Sequence, residues 1–577
     1  MPRCLYGIWN ALCSPGQQTT ISCAAPSQFV YQSKQSDDTS KVVGDEVVDY
    51  NKLYSRQEKR PVGSRIFDSV TKLAGSRTAF CLTLLVLIAW AIAGIILGAP
   101  DNWQIFMQDG SSIQCYISDT LLMRQQHNHC NELLSFTAQL RSRNETYKRL
   151  MYNPDIHKNV NTTEVHCMAI CDNVGDAVKL PSESWFDVTC NWVSDAVGSL
   201  SAWAIYWGGI FAWIGVGNDL QWSDLWQLYI NTAVAVELTF TSMFLQNTRR
   251  RHMEYLEKCL KSIMLADCDL EVILRQMVGD NQPNPIITIP PHPISKAVRS
   301  IDYYADVVGS GVGVVISISV FAAWLGVGNL MQWSSNWWLI IGTYTGLIGF
   351  LDGFVLRNVY FRQDKQMDNQ FDVLIDSDEQ IYQYLNLPLP TKPLEEDRSI
   401  RTRVSNWIGD VCSKAAAVGF AIIVIILLIC VASGMQWNET GQLLCNTPTM
   451  IIEGFLLIVL IQGHNKSNIK RRVILHDIFI RRLKLLQYVE CAQKLDILTE
   501  KHSCIGEECE ICKCKYANIQ PKEKGTPKDK KLSHDITEVS EDDGTLNEKN
   551  SLNDEGTLNG IFPSNGNTPP DNNVLRP

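Results

Sequence analysis

Seven blocks of apolar residues, each close to 20 long, limit what this chain can become: residues 80–98, 196–217, 226–245, 307–328, 337–356, 415–433 and 447–461. A helix rising 1.5 Å per residue needs about 20 residues to cross roughly 30 Å of hydrocarbon, where every backbone polar group must be satisfied internally. The expected class is an all-α polytopic membrane protein. Bulk composition hides this. With 577 residues, net charge −10 and mean hydropathy −0.06, the chain averages to a soluble protein because long polar segments dilute the apolar ones. The acidic balance offers no basic surface to nucleic acid. No phosphate-cradling loop, nucleotide fingerprint or set of haem-type paired histidines in the spans is present, so neither enzyme activity nor a cofactor is expected.

The blocks belong to internal copies. WSDLWQLYINT (222–232) aligns with WSSNWWLIIGT (333–343) and WNETGQLLCNT (437–447), and more weakly with DNWQIFMQD (101–109). Short segments precede each unit near the membrane: VTKLAGS (70–76), VSDAVGS (193–199), ADVVGS (305–310) and GDVCS (409–413). The alignment predicts an eighth span over 103–123 that hydropathy alone rejects. Charge supports it, because Lys and Arg gather in cytosolic loops and none occurs in 78–123, 180–248, 300–356 or 415–465. Ten of the 16 tryptophans lie near the outer connections of these windows, where an interfacial aromatic belt belongs.

The expected architecture is four helical hairpins, each with a cytosolic elbow before it and a cytosolic helical extension after it. A cytosolic tail covers 1–62. Repeat one is 63–181 (spans 79–98, 103–123), repeat two 182–294 (196–217, 226–245), repeat three 295–398 (307–328, 337–356) and repeat four 399–500 (415–433, 447–463). A Cys-containing and then disordered cytosolic tail covers 501–577. Both termini then lie in the cytosol. None of the 19 cysteines falls in an outer connection, so thiols rather than disulfides are expected. QPNPIITIPPHP (282–293) reads as an extended linker.

Five acids fall inside these spans: Asp109, Asp119, Glu237, Asp352 and Glu453, all in second helices. A carboxylate at a helix centre costs about 2.5–3.5 kcal/mol on insertion scales, so such groups normally face a bundle interior or a wet path. No Lys or Arg in the same windows can neutralise them. Either they hold protons or a mobile cation supplies the charge. Counted from Asp109, Thr232, Thr343 and Thr447, Glu237 and Glu453 lie five and six residues further in, and Asp352 and Asp119 nine and ten. These are tiers about 8 and 14 Å down. Their alternation suggests a pseudo-twofold axis relating repeats one and three, and two and four. Gln108, Asn231 and Asn446 could complete an oxygen-rich entrance beside Asp109, with Gly342 at the matching place in repeat three. Oxygen donors suit hard or borderline divalent ions, and Cys115, Cys445 and Met450 add softer atoms nearby.

Elsewhere, HNHC (127–130) reads as a solvated loop with chance histidines, and His166, Cys167 and Cys171 read the same way. Cys504, Cys509, Cys512 and Cys514 form a dense group that could hold a regulatory metal, although their spacing fits no standard zinc motif.

The stretches MQDGSSIQCYISDTLLMRQQ, SDLWQLYINTAVAV with FLQNTRRRH, NWWLIIGTYTGLIGFLDGFVLRNVYFR and NTPTMIIE closely resemble those of the fungal low-affinity iron(II) permeases, from about residue 60 to 490. The resemblance implies multi-pass residence in the plasma membrane and low-affinity uptake of Fe(II) as substrate, with copper, zinc and other divalent metals tolerated. The partners expected are divalent ions and membrane lipid. A membrane metal sensor signalling through its cytosolic tail is the alternative.

Overall fold

The computed structural model describes residues 20–28, 62–153, 156, 184–389 and 400–503. After strand β1 (Ile21–Cys23) come α1 (Val62–Ala74), α2 (Arg77–Leu97) and α3 (Asp101–Met151). Next are α4 (Trp185–Val197), α5 (Leu200–Val216) and α6 (Asp224–Val278), then strand β2 (Ile287–Ile289). Two further sets follow, α7 (Lys296–Val308), α8 (Gly311–Gly328) and α9 (Ser335–Tyr384), and α10 (Ile400–Ser413), α11 (Ala415–Gly434) and α12 (Glu439–Ser503).

Among the described residues, α2, α6, α8, α9, α11 and α12 are long and apolar enough to cross a membrane. The pair α4 and α5, bent by 62° at its break, would make a seventh. Ile95, Ile205, Val315 and Phe420 on the shorter apolar helices stand exposed, a distribution that lipid satisfies and water does not. The chain is a multi-pass membrane protein, and its described residues are built almost wholly of helices.

Three of the four short elbows end where Ser76, Ser199 or Ser310 caps the next helix, its hydroxyl accepting from Ala79 N, Ala202 N or Val312 N. The third break falls at Gly309, so α8 starts a few residues later than the span expected from 307. At the outer end, three connections share one turn: Gln221 and Trp222, Gln332 and Trp333, and Gln436 and Trp437 all adopt φ between 50° and 56°. Non-glycine residues hold that left-handed backbone only when neighbours force it. Here the Trp222, Trp333 and Trp437 amides donate to Gly217 O (2.9 Å), Gly328 O (3.0 Å) and Ala432 O (2.9 Å). The Trp222 and Trp333 rings cover Gly217 and Gly328, where an added Cβ would lie 2.6 Å from ring carbon. Stacked pairs Trp90–Trp103, Trp213–Trp226 and Trp324–Trp337, with centroids 3.9, 3.9 and 4.2 Å apart, clamp adjacent helices. In each pair both indole N–H groups donate to the partner's backbone carbonyl. Leu428 and Gly441 occupy the corresponding places between α11 and α12.

The four long helices continue without a break past the membrane; α6, at 55 residues, is about 80 Å long. They pack side by side in the cyclic order α3, α6, α12, α9. They run parallel: Gln108 Nε2 donates to Thr232 Oγ1 (3.1 Å) near one end of α3 and α6, and the Tyr147 hydroxyl to Asp267 O (2.6 Å) near the other. The elbows dock around this ring in one rotational sense. Asn247 on α6 donates to Gly75 O, Asn465 on α12 to Ser194 O, and Asn358 on α9 to Ser413 O. Gly309 packs on Arg124 and Met123 of α3.

This order corrects the expected pseudo-twofold axis. A twofold along the membrane normal exchanges diagonal helices, whereas α3 and α9 are neighbours, as are α6 and α12. Three cytosolic readings also change. HNHC is not a loop but part of continuous α3, with His129 and Cys130 buried. The linker contains β2, which pairs antiparallel with β1, Ile21 facing Ile289 and Cys23 facing Ile287. A segment from the expected tail is therefore built into the bundle of long helices, where Ala25 N donates to Ser142 Oγ (3.1 Å).

Candidate functional site

The outer halves of the four long helices carry the acids, and burial on the ring decides what they can do. Asp109, Asp119, Asp352 and Glu453 are all buried, Asp352 completely; Glu237 is half-buried. The room comes from α9. Gly342, Gly346, Gly349 and Gly353, spaced to share one helix face, turn it into a groove. An added Cβ would meet Asp109 Oδ1 at 2.8 Å and Asn446 Nδ2 at 3.9 Å from Gly342, the Glu453 carboxyl at 2.5–2.6 Å from Gly349, and Leu456 at 3.0 Å from Gly353. Asp109 on α3 and Asn446 on α12 belong to diagonal helices and meet over a glycine of the helix between them. Both therefore reach the axis of the ring. The 4-3-4 spacing in GTYTGLIGFLDG was the signal for this groove.

Asn231 joins that outer level fully buried, and neither of its amide atoms has a hydrogen-bond partner among the described residues. The same holds for Asp109 Oδ2 and Asn446 Oδ1. Gln108 is drawn aside: its amide N–H donates to Leu228 O (3.3 Å) and Thr232 Oγ1 (3.1 Å), tying α3 to α6.

One to two turns deeper, Glu453 lies within electrostatic reach of Asp119, Asp352 and Glu237 at once. Asp119 and Asp352 face each other as well. Each acid has at most a neutral donor: the Tyr304 hydroxyl gives to Asp352 Oδ1 (2.7 Å) and the Thr241 hydroxyl to Glu237 Oε1 (2.8 Å). Tyr206, from α5, donates to Ile451 O (2.7 Å) and shares with Glu237 the space beside Gly454. The sequence pattern missed Tyr206 and Tyr304, which approach from helices outside the ring. Asp352 Oδ2 and Glu237 Oε2 have no partner among the described residues. Cys115 packs beside Glu453, Asp119 and Glu237. The structure thus gathers Asp119, Glu237, Asp352 and Glu453 into one cluster and Asp109, Asn231 and Asn446 into a level above it.

Such a cluster repels itself unless something positive enters. No Lys or Arg occurs in this part of the sequence, so either the acids hold protons or a cation from outside the chain supplies the charge. Among the described residues no three His, Cys, Asp or Glu side chains converge tightly enough to enclose a metal ion. His127, in the HNHC stretch, lines a separate cavity of about 90 Å³ with Asp302 and Asp306, while His129 turns inward to Arg471. Cys504, Cys509, Cys512 and Cys514, with His166, Cys167 and Cys171, lie outside the described residues.

Comparison with known proteins follows the same helices. The family model described as low affinity iron permease matches residues 186–270, 299–386 and 401–525. The low-affinity iron/zinc ion transport protein fet4 of Schizosaccharomyces pombe is 52% identical over 496 residues, covering 83% of this chain and 85% of the relative. The low-affinity Fe(2+) transport protein of Saccharomyces cerevisiae is 41% identical over 457 residues, covering 74% and 83%. No solved structure matches. The matched segments include α6 as far as residue 270, all of α9 and all of α12, which carry Glu237, Asp352 and Glu453, and the chain belongs to the low affinity iron permease family.

Proposed function

We propose that this protein carries ferrous ion, and with it zinc, copper and other divalent transition metals, across the plasma membrane at low affinity. The route runs inside the ring of long helices. Asp109, Asn231 and Asn446 take the ion at the outer level, with Gln108 bracing the entrance, and Asp119, Glu237, Asp352 and Glu453 compensate its charge below. The observation carrying this reading is the placing of Glu453 within electrostatic reach of Asp119, Asp352 and Glu237 where the sequence holds no base.

In this reading the membrane part has eight spans, arranged as four repeated hairpins over 63–181, 182–294, 295–398 and 399–500, with both termini cytosolic. The shared turn geometry and the single rotational sense of the elbows support it. An inside-negative potential draws the ion inward, by about 4.6 kcal/mol per 100 mV for two charges crossing the whole field. Oxygen donors without a closed cage account for weak binding and modest discrimination along the Irving–Williams series.

Purified protein in liposomes tests the reading. Saturable Fe(II) influx, faster with an inside-negative potential and competed by Zn(II), is expected. Metal binding without influx would instead favour a sensor.

A further inference from the structure

Below the acids the sign of the charge reverses. Seventeen residues beyond Asp109, Thr232, Thr343 and Thr447, the four long helices bring Gln126, Arg249, Tyr360 and His464 to one level. All four are buried. The level lies about 10 Å beneath Asp119 along the helices. Arg249 donates to the Gln126 side-chain oxygen and to Leu122 O (3.4 Å). The Tyr360 and His464 rings meet with centroids 4.1 Å apart, and the Arg357 guanidinium lies 6.0 Å from the Tyr360 centroid. Further down, Arg471 pairs with Asp364 and lies 3.3 Å from His129 Nε2. A cation leaving the acid cluster along the axis therefore meets buried guanidinium groups before it meets cytosol.

These arginines are anchored unequally. Arg471 has the Asp364 carboxylate and Arg124 has Asp68 at 2.8 Å. Arg249 is held only by an amide oxygen and a backbone carbonyl among the described residues. Burial pulls it down to about 10, which leaves it charged at neutral pH. Hydrogen bonds to neutral oxygens are weaker than those to carboxylates, so the Arg249 guanidinium moves at lower cost than that of Arg471 or Arg124.

We propose that Arg249 is the inner gate of the cation route: level with Tyr360 and His464, its charge bars a divalent ion from the cytosolic half of the ring, and its release from Gln126 opens the exit. The gate rests on the carboxylate route proposed above. Because repulsion scales with the charge of the passing ion, the barrier weighs more on divalent than on monovalent cations.

The test is Fe(II) and K⁺ influx into liposomes carrying wild type, Arg249→Gln, Arg249→Lys, Gln126→Leu or Glu453→Gln. Arg249→Gln is expected to raise Fe(II) influx at least about tenfold and K⁺ influx less, while Arg249→Lys keeps the charge and stays near wild type. Gln126→Leu removes the latch and should raise Fe(II) influx too, which keeps the gate testable if Arg249→Gln does not fold. Unchanged influx in a folded Arg249→Gln, or equal behaviour of the Gln and Lys variants, overturns the gate. If Glu453→Gln abolishes influx while Arg249→Gln leaves it unchanged, the gate falls and the route stands. Influx preserved in Glu453→Gln removes the route, and the gate with it.

Discussion

Glu453→Gln is expected to lower ferrous-ion influx at least about tenfold, a loss of about 1.4 kcal/mol of ion stabilisation. The substitution keeps the shape that packs over Gly349 and removes one charge from the group formed with Asp119, Asp352 and Glu237. A carboxylate 4 Å from a divalent ion contributes about 8 kcal/mol at an effective dielectric constant near 20, much of it offset by the desolvation of both. Tenfold is therefore a lower bound. Asp372→Asn, on an exposed cytosolic face of α9, should leave influx at the wild-type level. Radioactive iron uptake, normalised to folded protein, reads both.

Arg482→Met is expected to loosen the cytosolic bundle by about 3–5 kcal/mol, because it strands two buried carboxylates. Thirty-five residues beyond the same reference set, Asn144, Asp267, Asp378 and Arg482 come from all four long helices. Arg482 lies 2.8 Å from Asp267 Oδ1 and 2.9 Å from Asp378 Oδ1, every one of these side chains fully buried, and it donates to Asn144 Oδ1 at 2.6 Å. Hydrogen exchange of the surrounding backbone amides should accelerate by roughly two to four orders of magnitude, the kinetic equivalent of that loss. Unchanged protection would contradict it. Asp267→Asn should be milder. Burial pushes Asp267 up to about 6, against the pull of Arg482 and Arg143, so its neutral form is reached more easily than that of a free carboxyl. A carboxyl raised in the folded state favours the fold more as pH falls through about 6.

Apolar blocks made the long apolar helices legible, and residues 101–151 form one continuous helix although its acids and glutamines defeat hydropathy. The acids themselves stood out because a charge in an apolar run is costly. Direction was not legible. Helical periodicity tells which residues share a face but not which neighbour that face meets, so the ring order α3, α6, α12, α9 and the tyrosine partners of the acids appear only in three dimensions. The expected pseudo-twofold axis failed for that reason: alternating tiers along the sequence sit on adjacent helices. The pairing of Ile21 with Ile289 joins distant segments with ordinary strand composition, and no local signal announces it. The levels at Arg249 and Arg482 escaped notice because each draws four different residue types from equivalent positions, and a repeat search rewards identity rather than complementarity.

Locating a bound ion tests the carboxylate route most directly. With Mn(II) or Co(II) supplied to the purified protein, anomalous diffraction or metal-specific density should place the ion inside the ring, between the Asp109–Asn446 level and the group formed by Asp119, Asp352 and Glu453. Metal found only at the cytosolic cavity beside His127, or on the lipid-facing surface, would contradict the account.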